Sequence, residues 1–418
     1  MAIRQSEFPH DFLWGASTSA HQVEGNTHNQ WTVWELEHAK SLAAQAEYHY
    51  KDLDNWDDIK AQAKNPDNYV SGSASDHYAR YKEDIELAHS LHMNALRFSV
   101  EWSRIEPNMG SWDSQAIAHY REYVSKLKKQ GIEPVLTLFH FTVPVWFSEM
   151  GGFEKRSNSK YFIRFAEKIL TELGGDIRYV ITINEPEVYA FESYHLGHWP
   201  PGAQSKRAAL TVLRNLISVH NQTAKMIHSL HSRYKVSIAK NSNYFYPGDD
   251  AVLSVKSAQA MQYGQDDYVL KRVVKQCDFL AVNYYFSHRV YGYRTHNPNE
   301  HVSDMGWDMA PADLEFVLER LSRKYKLPII ITENGCADSS DAKRQWWLKE
   351  TFGAMQRALK QGVELQGYLH WSLLDNFEWD KGKWPRFGLL AVDYTTQERT
   401  VRRSARRYGE VVKKIRRI

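Results

Sequence analysis

A short apolar run followed by a longer stretch whose apolar residues fall three and four apart recurs eight times along this chain. The runs cover residues 12–16, 95–100, 134–139, 179–183, 236–239, 279–282, 329–332 and 365–369. Several are rich in β-branched residues, as in Ile329, Ile330, Ile331 and Thr332, and are too short to be anything but buried strands. The stretches between them predict helices. One is opened by Asp76 as N-cap, with Tyr78, Tyr81, Ile85, Ala88 and Leu91 at helical spacing. The others lie at 114–130, 159–173, 208–232, 252–274, 311–325, 341–361 and 400–415. Residues 35–75 are polar and Ala-rich and read as a helical or irregular excursion. A strand that turns into a helix is half of a parallel βαβ unit. Eight such units without linker-like composition between them predict a closed (β/α)8 TIM barrel, a single α/β domain over residues 1–418 with insertions after its strands. An open doubly wound sheet would need a Gly-rich phosphate turn after its first strand, and none is present.

Composition narrows the function classes. A net charge of +3 provides no chain-wide basic field for nucleic acid. No stretch approaches the roughly 18 apolar residues of a membrane span, and the N-terminal residues MAIRQSEFPHDFLWG lack an apolar leader run, so a cytoplasmic location is expected. Cys277 and Cys336 are the only cysteines and neither sits in a metal-ligand pattern, which argues against a disulfide framework and a zinc site. The basic residues from Arg402 to Arg417 flank an apolar stripe of Val401, Ala405, Tyr408, Val411, Val412 and Ile415, and read as the solvated face of a terminal helix. Aromatic residues make up 13% of the chain, a mild hint of sugar-binding surfaces.

In such barrels chemistry sits where strands end. The residues there are Gln22, Arg97, His140, Asn184 with Glu185, Asn283 with Tyr285, Glu333 and Trp371, nearly all groups that a core would reject. Two are carboxylates. Pro186 disfavours the right-handed helical region for Glu185 and predicts an extended residue at the barrel mouth, while Asn334-Gly335 predicts a turn after Glu333. The fourth and seventh strands face each other across a small barrel. Two carboxyls about 5 to 5.5 Å apart there would suit the acid and nucleophile of a retaining glycosidase. Arg97 and Tyr285 are candidate partners for one of the pair, and either glutamate is open to that partnership.

These residues lie within blocks that resemble family 1 of the glycoside hydrolases, retaining β-glucosidases and β-galactosidases. The blocks are FPHDFLWGASTSAHQVEG, DHYARYKEDIELAHSLHMNALRFSVEWSRIEP, TINEPEVYA, FLAVNYY, ITENG and LHWSLLDNFEWDKGKWPRFGLLAVDY, in the family's order and nearly end to end. The resemblance implies Glu185 as acid/base and Glu333 as nucleophile. It implies Arg97, Tyr285 and Asn283 as groups orienting the nucleophile. Gln22, His140, Asn184, Glu378 and Trp379 correspond to positions that hold sugar hydroxyls, Trp371 to a stacking platform and Trp307 to an aglycone wall. It also implies a cis peptide after Trp371, no cofactor or metal, and a small β-glycoside or oligosaccharide as partner, with neither nucleic acid nor membrane. Nothing in the sequence bears on oligomeric state. Two departures matter: His140-Phe141-Thr142 stands where the family usually has His-Trp-Asp, and the chain is short for the family, which implies trimmed loops. Glu378 in DNFEW disfavours 6-phosphoglycosides, whose hydrolases are expected to present Ser and Lys there. The competing readings are a transglycosylase or phosphoglycosidase on the same barrel, and a sugar-binding barrel without catalysis.

Overall fold

The computed structural model describes residues 8–417; the first seven residues, included above in the reading of the N-terminus, lie outside them. Eight parallel strands close a barrel: β1 (Leu13–Ser17), β2 (Ala95–Ser99), β3 (Glu133–Phe139), β4 (Tyr179–Asn184), β5 (Lys235–Asn241), β6 (Leu280–Tyr284), β7 (Ile329–Asn334) and β8 (Leu365–Trp371). Each pairs with its neighbours in chain order, and β8 returns to β1 from Leu13↔Gly367 to Ser17↔Trp371. The major helices outside the strands are α1 (His77–Ser90), α2 (Ser114–Lys129), α3 (Ser159–Leu173), α4 (Lys206–Leu230), α5 (Val252–Gln262), α6 (Leu314–Tyr325), α7 (Arg344–Lys360) and α8 (Arg403–Arg416). The (β/α)8 reading is thus correct.

The barrel interior is apolar at its lower end. Leu13, Ala95, Val135, Ile181, Ala281, Ile330 and Leu369 form one buried cluster, with contributions from nearly every strand. Two residues further along, β2 and β6 deliver Arg97 and Asn283 on the same inward face, as a period of two requires. That period would send Asn184 outward from β4 and Glu333 outward from β7, each being three residues beyond an inward isoleucine. Both strands break register there: β4 gains a residue on β5 between Ile181 and Asn184, and β7 gains one on β6 between Ile331 and Glu333. An extra residue in a strand turns the following side chains to the other face. The two bulges therefore aim the functional residues of β4 and β7 into the barrel mouth.

Several local expectations are corrected. Asp76 does not cap α1 with its side chain; it takes a left-handed conformation, φ 48°, in the turn that follows Ser73. The helix expected over 252–274 runs without a break from Val252 to Val273, widening at Tyr263–Asp267 into a π-type turn that buries Asp266 and Asp267. The last helix starts at Arg403, because Arg399–Val401 pairs antiparallel with Leu390–Val392 instead. Its stripe still docks: Tyr408 is buried and its hydroxyl donates to the Gly15 carbonyl of β1 at 3.0 Å. The early excursion is mostly helix, with a 21-residue element at Gln30–Tyr50. Asn29 caps it by accepting from the amides of Trp31 and Thr32. The buried Trp31 indole packs 4.9 Å from Trp379 and 5.6 Å from Trp199, so this insertion supports the wall of the cleft.

Candidate active site

The strand ends open into a cleft of about 590 Å³, a size suited to a small ligand. Gln22, His140, Asn184, Glu185, Tyr285, Trp307, Glu333, Trp371, Glu378 and Trp379 all line it, while Arg97 and Asn283 lie fully buried beneath. All twelve residues expected from the sequence therefore belong to one neighbourhood.

Arg97 organises the floor. Its guanidinium donates to Glu333 Oε1, to Asn184 Oδ1 at 2.7 Å and to Thr137 Oγ1 at 3.0 Å. Tyr285 donates its hydroxyl to the other oxygen of Glu333 at 2.6 Å. Burial and the carboxylates of Glu333 and Glu185 raise the phenol well above its usual range, so this proton stays on tyrosine. Glu333 thus meets a fixed positive charge on one oxygen and a neutral donor on the other.

Glu185 has different company. Burial first, then the charge of Glu333 and that of Glu187, push its carboxyl well above the ordinary value; a hydrogen bond from Asn283 and the charge of Lys240 oppose the shift. Asn283 donates to Glu185 Oε1 at 2.8 Å and to Asn184 Oδ1 at 3.2 Å, and its own carbonyl accepts from Thr332. The Asn283 side chain therefore bonds to Glu185, while its backbone lies beside Glu333 in the β6–β7 register. A continuous chain of hydrogen bonds runs from Glu333 through Arg97, Asn184 and Asn283 to Glu185.

The backbone at each glutamate also departs from the sequence reading. Glu185 is not extended: its φ of 40° and ψ of 64° put it in the left-handed region. Pro186 bars the right-handed helical region, and a helix starts at once with Pro186 in its first position. Such a conformation is costly for a residue with a Cβ and needs surrounding structure to hold it. Asn334-Gly335 does not make the expected turn either; Asn334 is still in β7, and its side-chain Nδ2 donates to the Tyr284 carbonyl at 2.8 Å. Gly335 is required because a Cβ there would lie 1.8 Å from the Trp371 carbonyl oxygen.

The remaining lining suits hydroxyl-bearing rings. Gln22 Oε1 and His140 Nδ1 are buried without a hydrogen-bond partner among the described residues, although such groups are ordinarily paired. Burial and the Arg97 charge hold the His140 imidazole neutral, well below its usual range. Its ring lies nearly parallel to Trp371 and Trp379, at 6.0 and 6.2 Å. The peptide between Trp371 and Ser372 is cis. Phe141 turns into the wall at φ 71° and packs against Trp199 and Trp379 at 5.1 and 5.2 Å. Glu378 is pushed up to about 8 by burial, by Asp380 and by Glu333. Trp307 meets Tyr285 and Phe286 edge-on and packs in the same cluster as Trp371.

Sequence reasoning missed three contributors. Trp199 donates to Asp380 at 2.9 Å and walls the cleft; the break HWPPG was its only signal. Lys240 and Glu187 form a buried pair behind Glu185, flagged only by a lysine at the end of the apolar run VSIAK.

An Arg97→Leu variant should lose about 3–5 kcal/mol of folding stability in denaturant melts, because Glu333 and Asn184 are left buried without their donor. The charge-preserving Arg97→Lys should lose less stability but still fail to serve both partners, as lysine lacks the planar fork.

A glycosyl hydrolase family 1 model matches residues 4–279 and 258–416, and the chain belongs to that family of O-glycosyl hydrolases. Beta-glucosidase A of Acetivibrio thermocellus is 30% identical, covering 97% of this chain and 98% of its own. A 6-phospho-beta-galactosidase of Clostridium acetobutylicum is 26% identical, covering 96% of each. Among solved structures, a beta-glycosidase from Pyrococcus horikoshii superposes with a TM-score of 0.86 at 32% identity, covering 99% of this chain and 96% of that one. A beta-glucosidase from Thermotoga maritima in complex with glucoimidazole has a TM-score of 0.86 at 28% identity, covering 98% and 99%. No helix among the described residues is long and apolar enough to cross a membrane.

Proposed function

We propose that the chain is a retaining exo-β-glycosidase that cleaves β-glucosides and related short β-linked oligosaccharides or aryl glycosides, with the whole chain as one catalytic unit. The unlike surroundings of the two glutamates carry this reading. Glu333 is braced by Arg97 and Tyr285, while Glu185 is held protonated by burial and by Glu333 itself.

The chemistry follows from that difference. Glu333 attacks the anomeric carbon as Glu185 passes its proton to the glycosidic oxygen, and the aglycone leaves as an alcohol. The glycosyl ester removes the charge of Glu333, so the proton affinity of Glu185 falls and it becomes a base. Glu185 then takes a proton from water as the water attacks the same carbon, and Glu333 is released with the β configuration retained. Asn184 is positioned for the 2-hydroxyl, whose hydrogen bond strengthens as the ring takes on oxocarbenium character. Gln22 and His140 serve other hydroxyls, Glu378 and Trp379 complete the sugar site, and Trp371 supplies its platform.

The name of the Clostridium relative raises phosphorylated sugars as a second substrate class. Glu378, Asp380 and Glu333 already crowd carboxylates into this side of the cleft, and Lys381 is paired with Asp380 at 2.5 Å. A phosphate dianion would meet repulsion there. In a panel of nitrophenyl glycosides, the β-glucoside should exceed its 6-phosphate in kcat/KM by about 100-fold or more, equivalent to ~3 kcal/mol. A preference for the phosphorylated sugar would overturn the substrate reading. Proton NMR of the first-formed anomer tests retention: β-glucose should appear before α, and α first would exclude this mechanism.

A further inference from the structure

Behind Glu185 lies an ion pair that the chemistry above does not use. Lys240, at the end of β5, is 1% exposed and donates to Glu187 Oε1 at 2.6 Å and to the Asn241 carbonyl at 2.7 Å. The Asn241 amide donates to the same Glu187 oxygen at 3.1 Å. One residue earlier on β5, the Ala239 carbonyl accepts from the Glu185 amide at 2.9 Å. The turn Glu185-Pro186-Glu187 is thus fastened to β5 at both ends, once by backbone and once by the ion pair, and the left-handed residue sits between the fastenings.

We propose that Glu187 and Lys240 are positioning residues for the acid/base, a buried pair that seats the Glu185 turn and tunes Glu185 as proton donor. The proposal rests on the assignment of Glu185 as acid/base. The charges facing Glu185 come from three directions: Glu333 on β7, Glu187 in the first turn of the short helix that Glu185 opens and Lys240 on β5. Those facing the pair are Asp266, whose Oδ1 lies 3.8 Å from Lys240, and Arg320 of α6, which binds Asp266 and Asp267. Asp267 also pairs with Lys324 at 2.5 Å and accepts from the Tyr325 hydroxyl. This outer network supplies its own counter-charges, so beyond the larger influence of Glu333 the field at Glu185 is set by the Glu187–Lys240 balance. Glu187 raises the proton affinity of Glu185 and Lys240 lowers it. Removing one charge at a time should therefore move Glu185 in opposite directions.

The test is the alkaline limb of kcat/KM against pH with phenyl β-glucoside, whose poor leaving group demands the proton. Glu187→Gln keeps an acceptor for Lys240 but loses the negative charge, and its limb should move to lower pH by about half a unit or more. Lys240→Gln should move the limb to higher pH, by less, because Glu187 is itself raised by burial and takes up part of the compensation. A purely structural strut would lower the melting temperature or kcat and leave the limb in place. Limbs within about 0.2 unit of the parent, or shifts of the same sign in both variants, would overturn the proposal. If Glu187→Gln does not fold, Lys240→Gln decides when read above the pH at which Glu187 ionises: an unmoved or acid-shifted limb there refutes the idea. Glu185→Gln separates the two levels. Loss of the limb there with no shift in the other variants sinks only this proposal, whereas persistence of the limb sinks the acid/base assignment itself.

Discussion

Glu333→Gln should lower kcat by about 100,000-fold or more, ~7 kcal/mol of barrier, with little change in affinity for an intact glycoside. The amide is nearly isosteric and keeps an oxygen to accept from Tyr285 or Arg97, so the hydrogen-bond framework of the floor can survive. What it loses is nucleophilicity. Of the other carboxylates lining the cleft, none is held by an arginine and a tyrosine: Glu185 is held by Asn283, Glu378 is reached by Gln22 at 3.4 Å, and Asp380 is bound by Trp199 and Lys381. Binding to the inactive variant can be followed by fluorescence, as tryptophans 307, 371 and 379 line the cleft. Tight binding with no turnover in the variant and rapid turnover in the parent identifies an enzyme. A parent that binds but does not hydrolyse would make the protein a sugar-binding barrel.

The second large effect belongs to Glu185→Ala, and its size should depend on the leaving group. Phenyl and alkyl glycosides, which need a proton to depart, should lose about 1,000- to 10,000-fold in kcat/KM. A dinitrophenyl glycoside should lose far less in its first step, since its phenolate leaves unaided, and the glycosyl-enzyme should then accumulate. Azide, which needs no base, should fill the vacated space and restore turnover, releasing a β-glycosyl azide. In the parent the folded pKa of Glu185 is raised, so kcat/KM for a poor leaving group should fall as pH rises through that value. That fall should be absent in the variant. Uniform loss across leaving groups with no azide rescue would remove Glu185 from the acid/base role.

The fold was legible because its signal is redundant. Eight strand-like runs alternate with helical spacing, and an error at one boundary, such as the one at Thr400 where Arg399–Val401 is a strand, leaves the architecture unchanged. The membership of the site was legible too, since polar groups stand at strand ends and within blocks resembling the family. Orientation was not. A period of two would send Asn184 and Glu333 to the outer face, and only the bulges on β4 and β7 reverse this. A bulge is a register between two strands and leaves no mark in either strand by itself. The left-handed Glu185 was half legible: Pro186 announces that the right-handed region is closed, but not which alternative the neighbouring structure enforces. The bond from Asn283 to Glu185 was not legible for a related reason, because sequence places Asn283 at the mouth without fixing its rotamer. The bond from Thr332 to its carbonyl turns its amide toward Glu185.

The division of labour between the two glutamates is tested most directly by trapping the intermediate. Incubation with a 2-deoxy-2-fluoro-β-glucosyl fluoride should inactivate the protein with one label per chain, and peptide mapping should find that label on Glu333 in the TENG segment. A label on Glu185, on Glu378 or on any other carboxylate would contradict the account.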